Sequence, residues 1–192
     1  MTLDGNINYI ISGLERSGTS MLMQLIVNGG APSSFDNETR PPDTNNPKGY
    51  YELEGGKIIN KLMNGSFSIT EYLGRFIKIT AFGIKFLPHG NYKIIYSERN
   101  IEEILDSMEK MTKIEDNNRD ETRLVFTKLN NMIKNLLVER KDCDVLFVNY
   151  NDIMSDPKNH IRAIHEFIGS PDMNLDKMIA TVDTGLHRNK KA

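Results

Sequence analysis

Gly13-Leu14-Glu15-Arg16-Ser17-Gly18-Thr19-Ser20 joins a short apolar run, Tyr9-Ile10-Ile11, to an apolar helix pattern over Thr19–Asn28. Strand, glycine-bearing turn and helix in that order make an anion site. Backbone N–H groups of the turn and of the first helical turn converge on one spot, where the helix dipole is positive. Thr19 and Ser20 add hydroxyl donors, and Arg16 brings a permanent charge to the same place. The Gly-x4-Gly spacing matches the phosphate loop of nucleotide-binding proteins, but Thr19 stands where that loop carries Lys. The competing reading is an ordinary connection capped by Ser17 or Thr19. Arg16 inside the turn, with a strand before it and a helix after, favours the anion site.

A second pair of residues fits the same chemistry. Arg99 follows the apolar run Tyr92–Ser97, and Ser107 lies two turns into the next helix pattern. An Arg at a strand end and a Ser on the following helix can grip a further phosphate; alone, the pair reads as a surface Arg and a solvated Ser.

The elements that must carry these residues alternate. Strands are expected at Asn8–Ser12, Phe76–Phe82, Tyr92–Ser97 and Val145–Val148, each short and almost wholly apolar. Helices are expected at Thr19–Asn28, ended by Gly29-Gly30, and at Leu53–Met63. A third starts after the Asn100 cap with Glu103 three residues on, a fourth ends near Arg140, and a fifth starts at Asp156-Pro157 and stops at Gly169. Apolar strands alternating with helices predict an α/β fold: a central parallel sheet covered on both faces, three layers in all. Ligands of such sheets sit at the carboxyl ends of the strands, where the Gly13–Ser20 turn and Arg99 both fall. The proline-rich stretch Ala31–Lys48 is long for an idle loop.

The 192 residues predict a single domain over positions 1–192. A net charge of -2 supplies no global basic field, so a nucleic-acid partner is not expected. Every apolar stretch is interrupted by a polar or charged residue, so no membrane span is expected. One cysteine, Cys143, excludes an internal disulfide framework and suits a reducing compartment. With no secretory pattern over Met1–Asn8, the expected location is cytoplasmic.

Taken together, the two anion grips resemble those of the sulfotransferases that use 3′-phosphoadenosine 5′-phosphosulfate (PAPS). Arg16-Ser17-Gly18-Thr19-Ser20 is similar to their phosphosulfate loop, and Arg99 with Ser107 eight residues later is similar to their 3′-phosphate motif. Asn46-Pro47-Lys48-Gly49-Tyr50-Tyr51-Glu52 resembles a loop of bacterial members. Tyr150-Asn151-Asp152-Ile153 before Asp156-Pro157, and Phe167-Ile168-Gly169, resemble the family's later strand-helix unit. Two departures stand out: Glu15 where the family usually has Pro, and Glu98 before Arg99 where a neutral or basic residue is usual.

The resemblance implies a topology like that of phosphate-loop nucleotide hydrolases. It implies PAPS as co-substrate, adenosine 3′,5′-bisphosphate (PAP) as product, and no metal requirement. Arg16 would stabilise the bridging oxygen, with Ser17, Gly18, Thr19 and Ser20 holding the 5′-phosphosulfate. Arg99 and Ser107 would hold the 3′-phosphate, aided by Arg188 from the basic tail. The acceptor, a small molecule or glycan, needs a general base. Glu52 is the first candidate, since some members use a Glu from this region, and His89 the second; Glu52 could equally cap the next helix. Tyr50, Tyr51, Phe67 and Tyr72 could line an acceptor pocket or belong to the core. Two other functions stay open: a kinase or nucleotide hydrolase with Glu98 holding Mg²⁺ through water, and a non-catalytic sensor of PAP.

Overall fold

Paired isoleucines flanked by tyrosine lie at the centre of each inner strand of this protein, whose computed structural model describes residues 2–36, 38–183 and 185. The chain runs β1 (Asn8–Gly13), α1 (Thr19–Asn28), α2 (Ile58–Met63), β2 (Phe76–Lys78), α3 (Ala81–Ile84), β3 (Tyr92–Glu98) and α4 (Ile101–Thr112). It continues through α5 (Arg119–Glu139), β4 (Cys143–Asn149), α6 (Tyr150–Ser155), α7 (Pro157–Ile168) and α8 (Leu175–Thr181). The four strands form one parallel sheet in the order β2-β1-β3-β4.

Alternate residues of each strand point to opposite faces, so the sheet feeds two cores. Ile10, Ile77, Ile94 and Tyr96 pack with Ile84, Ile104, Ile133 and Leu137 of α3, α4 and α5. Tyr9, Ile11, Phe76 and Ile95 pack with Leu22, Ile26, Ile161 and Met178 of α1, α7 and α8. The expected three-layer arrangement is present. β1 lies between β2 and β3, so the connection leaving β1 goes to one side of the sheet and the one leaving β3 goes to the other. Their carboxyl ends therefore flank the crevice where strand order reverses.

Three local expectations are corrected. The strand expected over Phe76–Phe82 ends at Lys78, and the chain turns into α3 at Ala81. Gly83 permits that turn to press on the sheet, since a Cβ there would stand 2.6 Å from Ile79 Cγ2. The helix expected over Leu53–Met63 splits into a 3₁₀ turn (Leu53–Gly56) and α2, because Glu54 and Gly55 both adopt positive φ. Helices α6 and α8 were not anticipated as separate elements. Asn149 caps α6 by accepting from Asn151 and Asp152 N–H, and Asn174 caps α8 by accepting from Lys177 N–H.

The long Ala31–Lys48 segment is not idle. It bridges to the sheet edge at Ser33 and Phe76 and returns beside the cleft, where Asp36 N–H donates to Glu52 O at 2.8 Å. Among the described residues no helix is long and apolar enough to cross a membrane.

Candidate active site

The turn after β1 has the shape an anion cradle requires. Gly13 has φ of 147°, and a Cβ there would lie 2.5 Å from both Ser17 Oγ and Ser97 O. Gly18 has φ of 107°, and a Cβ there would lie 2.4 Å from the Tyr150 ring. Glycine is demanded at both places by conformation and by space. The turn is pinned from below by Ser17 N–H on Leu14 O at 3.1 Å, and by Ser97 Oγ donating to Ser17 O at 2.8 Å. No side chain caps α1. Its first-turn N–H groups thus keep their donor capacity for the cleft. Ser17 Oγ is buried beside them with no hydrogen-bond partner among the described residues.

Arg99 and Ser107 come to the same rim. Ser107 Oγ accepts from Arg16 Nε at 2.9 Å, and Arg99 Nη1 donates to Arg16 O at 3.1 Å. Residues separated by about ninety positions in sequence thereby form one surface. Arg16 itself has φ of 65°, a strained value for a side-chain-bearing residue, and its guanidinium also donates to Asn45 O at 3.3 Å. Burial lowers its pKa, with Arg99 and Arg40 adding to the effect, yet guanidinium stays a cation. The side chain thus reaches toward Ser107, while its backbone belongs to the first loop.

Across the cleft stands a cluster that sequence reasoning caught only in part. Glu52 is buried, with Oε1 3.0 Å from Lys78 Nζ and Oε2 2.6 Å from Arg40 Nη1. Lys78, the last residue of β2, also donates to Ser20 Oγ at 3.3 Å and to Tyr50 O. Arg40 lies over the Tyr50 ring at 3.7 Å, and Tyr50 OH donates to Asp43 at 2.8 Å. Burial pushes the Glu52 carboxyl up, but Lys78 and Arg40 together outweigh it and hold the carboxyl below the ordinary glutamate range. Burial pulls the Lys78 ammonium below the ordinary lysine value, against the attraction of Glu52. Lys78 and Arg40 were missed. The available signal was a lysine ending an otherwise apolar strand, Phe76-Ile77-Lys78; Arg40 had none.

Other candidates fall elsewhere. His89 sits in the turn before β3, at the amino-terminal end of the sheet, fully exposed and 3.6 Å from Asp142, so it is removed as a base. Glu98 points to the α5 side and pairs with Lys134, which takes it from the Mg²⁺ role of the kinase reading. Glu15 is exposed at the cleft mouth. Of the aromatic candidates only Tyr50 lines the cleft; Phe67 and Tyr72 stack on each other, and Tyr51 packs edge-on against Phe35. Arg188 lies outside the described residues. The cleft has a volume of about 220 Å³, and Arg16, Ser20, Lys78, Glu52, Arg99 and Ser107 all face it.

The family model described as "Sulfotransferase domain" matches residues 7–184. The chain belongs to the sulfotransferase family. It is thus a transferase. Solved structures that share the fold include two sulfotransferases. The sulfotransferase domain from the Synechococcus PCC 7002 olefin synthase aligns with a TM-score of 0.54 at 16% identity, over 94% of this chain and 78% of that one. Mouse sulfotransferase SULT7A1 complexed with PAP aligns with a TM-score of 0.51 at 16% identity, over 93% of this chain and 64% of the mouse chain. This sulfotransferase therefore spans less than two thirds of the mouse protein. No curated protein sequence matches it.

Proposed function

We propose that the cleft binds PAPS and passes its sulfuryl group in line to a hydroxyl or amine of a small-molecule or glycan acceptor, releasing PAP. The observation that carries this reading is the contact of Arg16 with Ser107 at 2.9 Å, which joins a loop built for one phosphate to a helix position suited to a second. PAP in the mouse structure is a ligand of that chemistry. One cysteine in the whole chain supports the cytoplasm as the compartment.

Roles follow from position. The N–H groups at the start of α1, with Ser17 and Thr19, hold the 5′-phosphosulfate. Ser20 hydrogen-bonds to Lys78 and Tyr50, so it links that site to the far wall. Arg99 and Ser107 take the 3′-phosphate, aided by Arg188, and Arg16 turns from Ser107 to the bridging oxygen. As the acceptor oxygen or nitrogen bonds to sulfur, the bond from sulfur to that bridging oxygen breaks and Arg16 neutralises the charge left on PAP. The acceptor's proton goes to Glu52. Of the carboxylates facing the cleft, Glu15 and Asp183 are exposed at its rim and only Glu52 is buried, and among the described residues no histidine faces it.

Calorimetry tests the ligand. PAP should bind in the presence of EDTA, and ATP should gain nothing from Mg²⁺. Binding of ATP only with Mg²⁺, and none of PAP, would replace this reading with the kinase. The base is tested separately. Glu52→Gln should lower turnover by about 10²-fold or more with PAP affinity unchanged, an outcome that a pure sensor could not give. Because Lys78 and Arg40 depress the Glu52 carboxyl, it stays ionised as pH falls to the ordinary glutamate value of 4.5. The acid limb of kcat/KM should accordingly lie below that pH; a limb near 6 or 7 would point to another base.

A further inference from the structure

We propose that Glu103 is a positioning residue for the 3′-phosphate: its carboxylate sets the Arg99 guanidinium in the orientation that receives the nucleotide. The inference rests on the PAPS reading above and deepens it. Glu103 lies one turn after Arg99, on α4, and is fully buried in the wall behind the cleft. Its Oε2 accepts from Arg99 Nε at 2.9 Å, and its Oε1 accepts from Asn151 Nδ2 at 2.9 Å. The carboxylate is thus tied to two elements, α4 and α6, before it meets the arginine.

What Glu103 takes from Arg99 matters as much as what it gives. It occupies the Nε edge, so the Nη end is the part presented to the cleft, where Nη1 already holds Arg16 O at 3.1 Å. The Tyr150 ring lies against the guanidinium plane at 4.4 Å. Carboxylate at one edge, loop carbonyl at another and an aromatic face together fix a side chain that is otherwise rich in rotamers. A phosphate then meets a fork that needs no ordering. Tyr150 and Asn151 begin α6, and Tyr150 also abuts Gly18, so the same short helix braces both grips.

Electrostatics alone predicts the opposite consequence. A carboxylate beside a phosphate site repels the phosphate, so its removal should raise nucleotide affinity. Positioning predicts a loss, which makes the sign decisive.

The test compares PAP with adenosine 5′-monophosphate, which lacks the 3′-phosphate, by calorimetry on the full chain, with thermal melts alongside. Glu103→Leu should weaken PAP by about tenfold, the size of one weakened charge-assisted contact, and leave the monophosphate unchanged. Glu103→Gln should restore PAP affinity to within about threefold of the starting protein, since an amide oxygen can still accept from Arg99 Nε. PAP affinity that is unchanged or tighter in Glu103→Leu overturns the proposal, and so does an equal loss for both nucleotides. Should Glu103→Leu show no cooperative melt, Asn151→Ala carries the test by removing only the second anchor. It should weaken PAP about threefold with the monophosphate unaffected, and an unaltered PAP affinity would overturn the assignment. A starting protein that fails to prefer PAP over the monophosphate defeats the PAPS reading itself, a result visible before any variant is made.

Discussion

Arg16→Ala lowers kcat for PAP release by about 10²- to 10³-fold, the scale of loss on removing one donor from a developing oxyanion. The expectation has two structural grounds. Arg16 is the only cation within the Gly13–Ser20 turn, and its guanidinium is already held in the cleft by Ser107 at 2.9 Å and Asn45 O at 3.3 Å. Its backbone carbonyl continues to receive Arg99 in the variant, so the second grip survives and PAP affinity falls much less than kcat. Arg16→Lys restores charge without the fork and recovers part of the rate. Steady-state assays of PAP release, read beside calorimetry, separate the two quantities. A loss of PAP affinity with kcat unchanged would make Arg16 a ground-state binding residue instead.

Gly13→Ala destabilises the protein by about 3 kcal/mol, from a strained backbone plus an overpacked contact. The new methyl group would meet the Ser97 carbonyl at 2.5 Å, a backbone atom inside the sheet that cannot step aside, at a φ of 147°. For a chain of this length that corresponds to a fall of about 6–12 °C in Tm. Gly5→Ala is the control, because nothing stands within 4 Å of its Cβ position. Similar melting of the two variants would show that the turn relaxes freely, and the cradle could not then be regarded as rigid.

The parts of this site that could be read in advance were those written contiguously. The Gly13–Ser20 turn follows β1 and precedes α1 as its residue types dictate, and α4 and α5 start and stop close to their polarity signals. The bringing together of Arg99, Ser107 and Arg16 also followed, because strand ends of a parallel sheet share one rim. Illegible pieces arose from long-range geometry. Lys78 meets Glu52 only because β2 lies on the far side of β1 and the Pro-rich segment returns over it. Glu54 abandons helical φ in a stretch whose apolar spacing suits a helix, and the following Gly55-Gly56 was the overlooked clue. Glu103 was expected only as part of a helix cap, while its carboxylate instead serves Arg99 and Asn151.

The hold that Ser107 and Asn45 keep on Arg16 has a thermodynamic consequence for how an anion enters. The guanidinium is already stripped of much of its water and immobilised before any ligand arrives, so capture exchanges one set of partners for another. Fewer mobile counterions surround such a charge than surround an exposed one. Nucleotide affinity should therefore weaken with added salt less steeply than the number of cations around the cleft suggests.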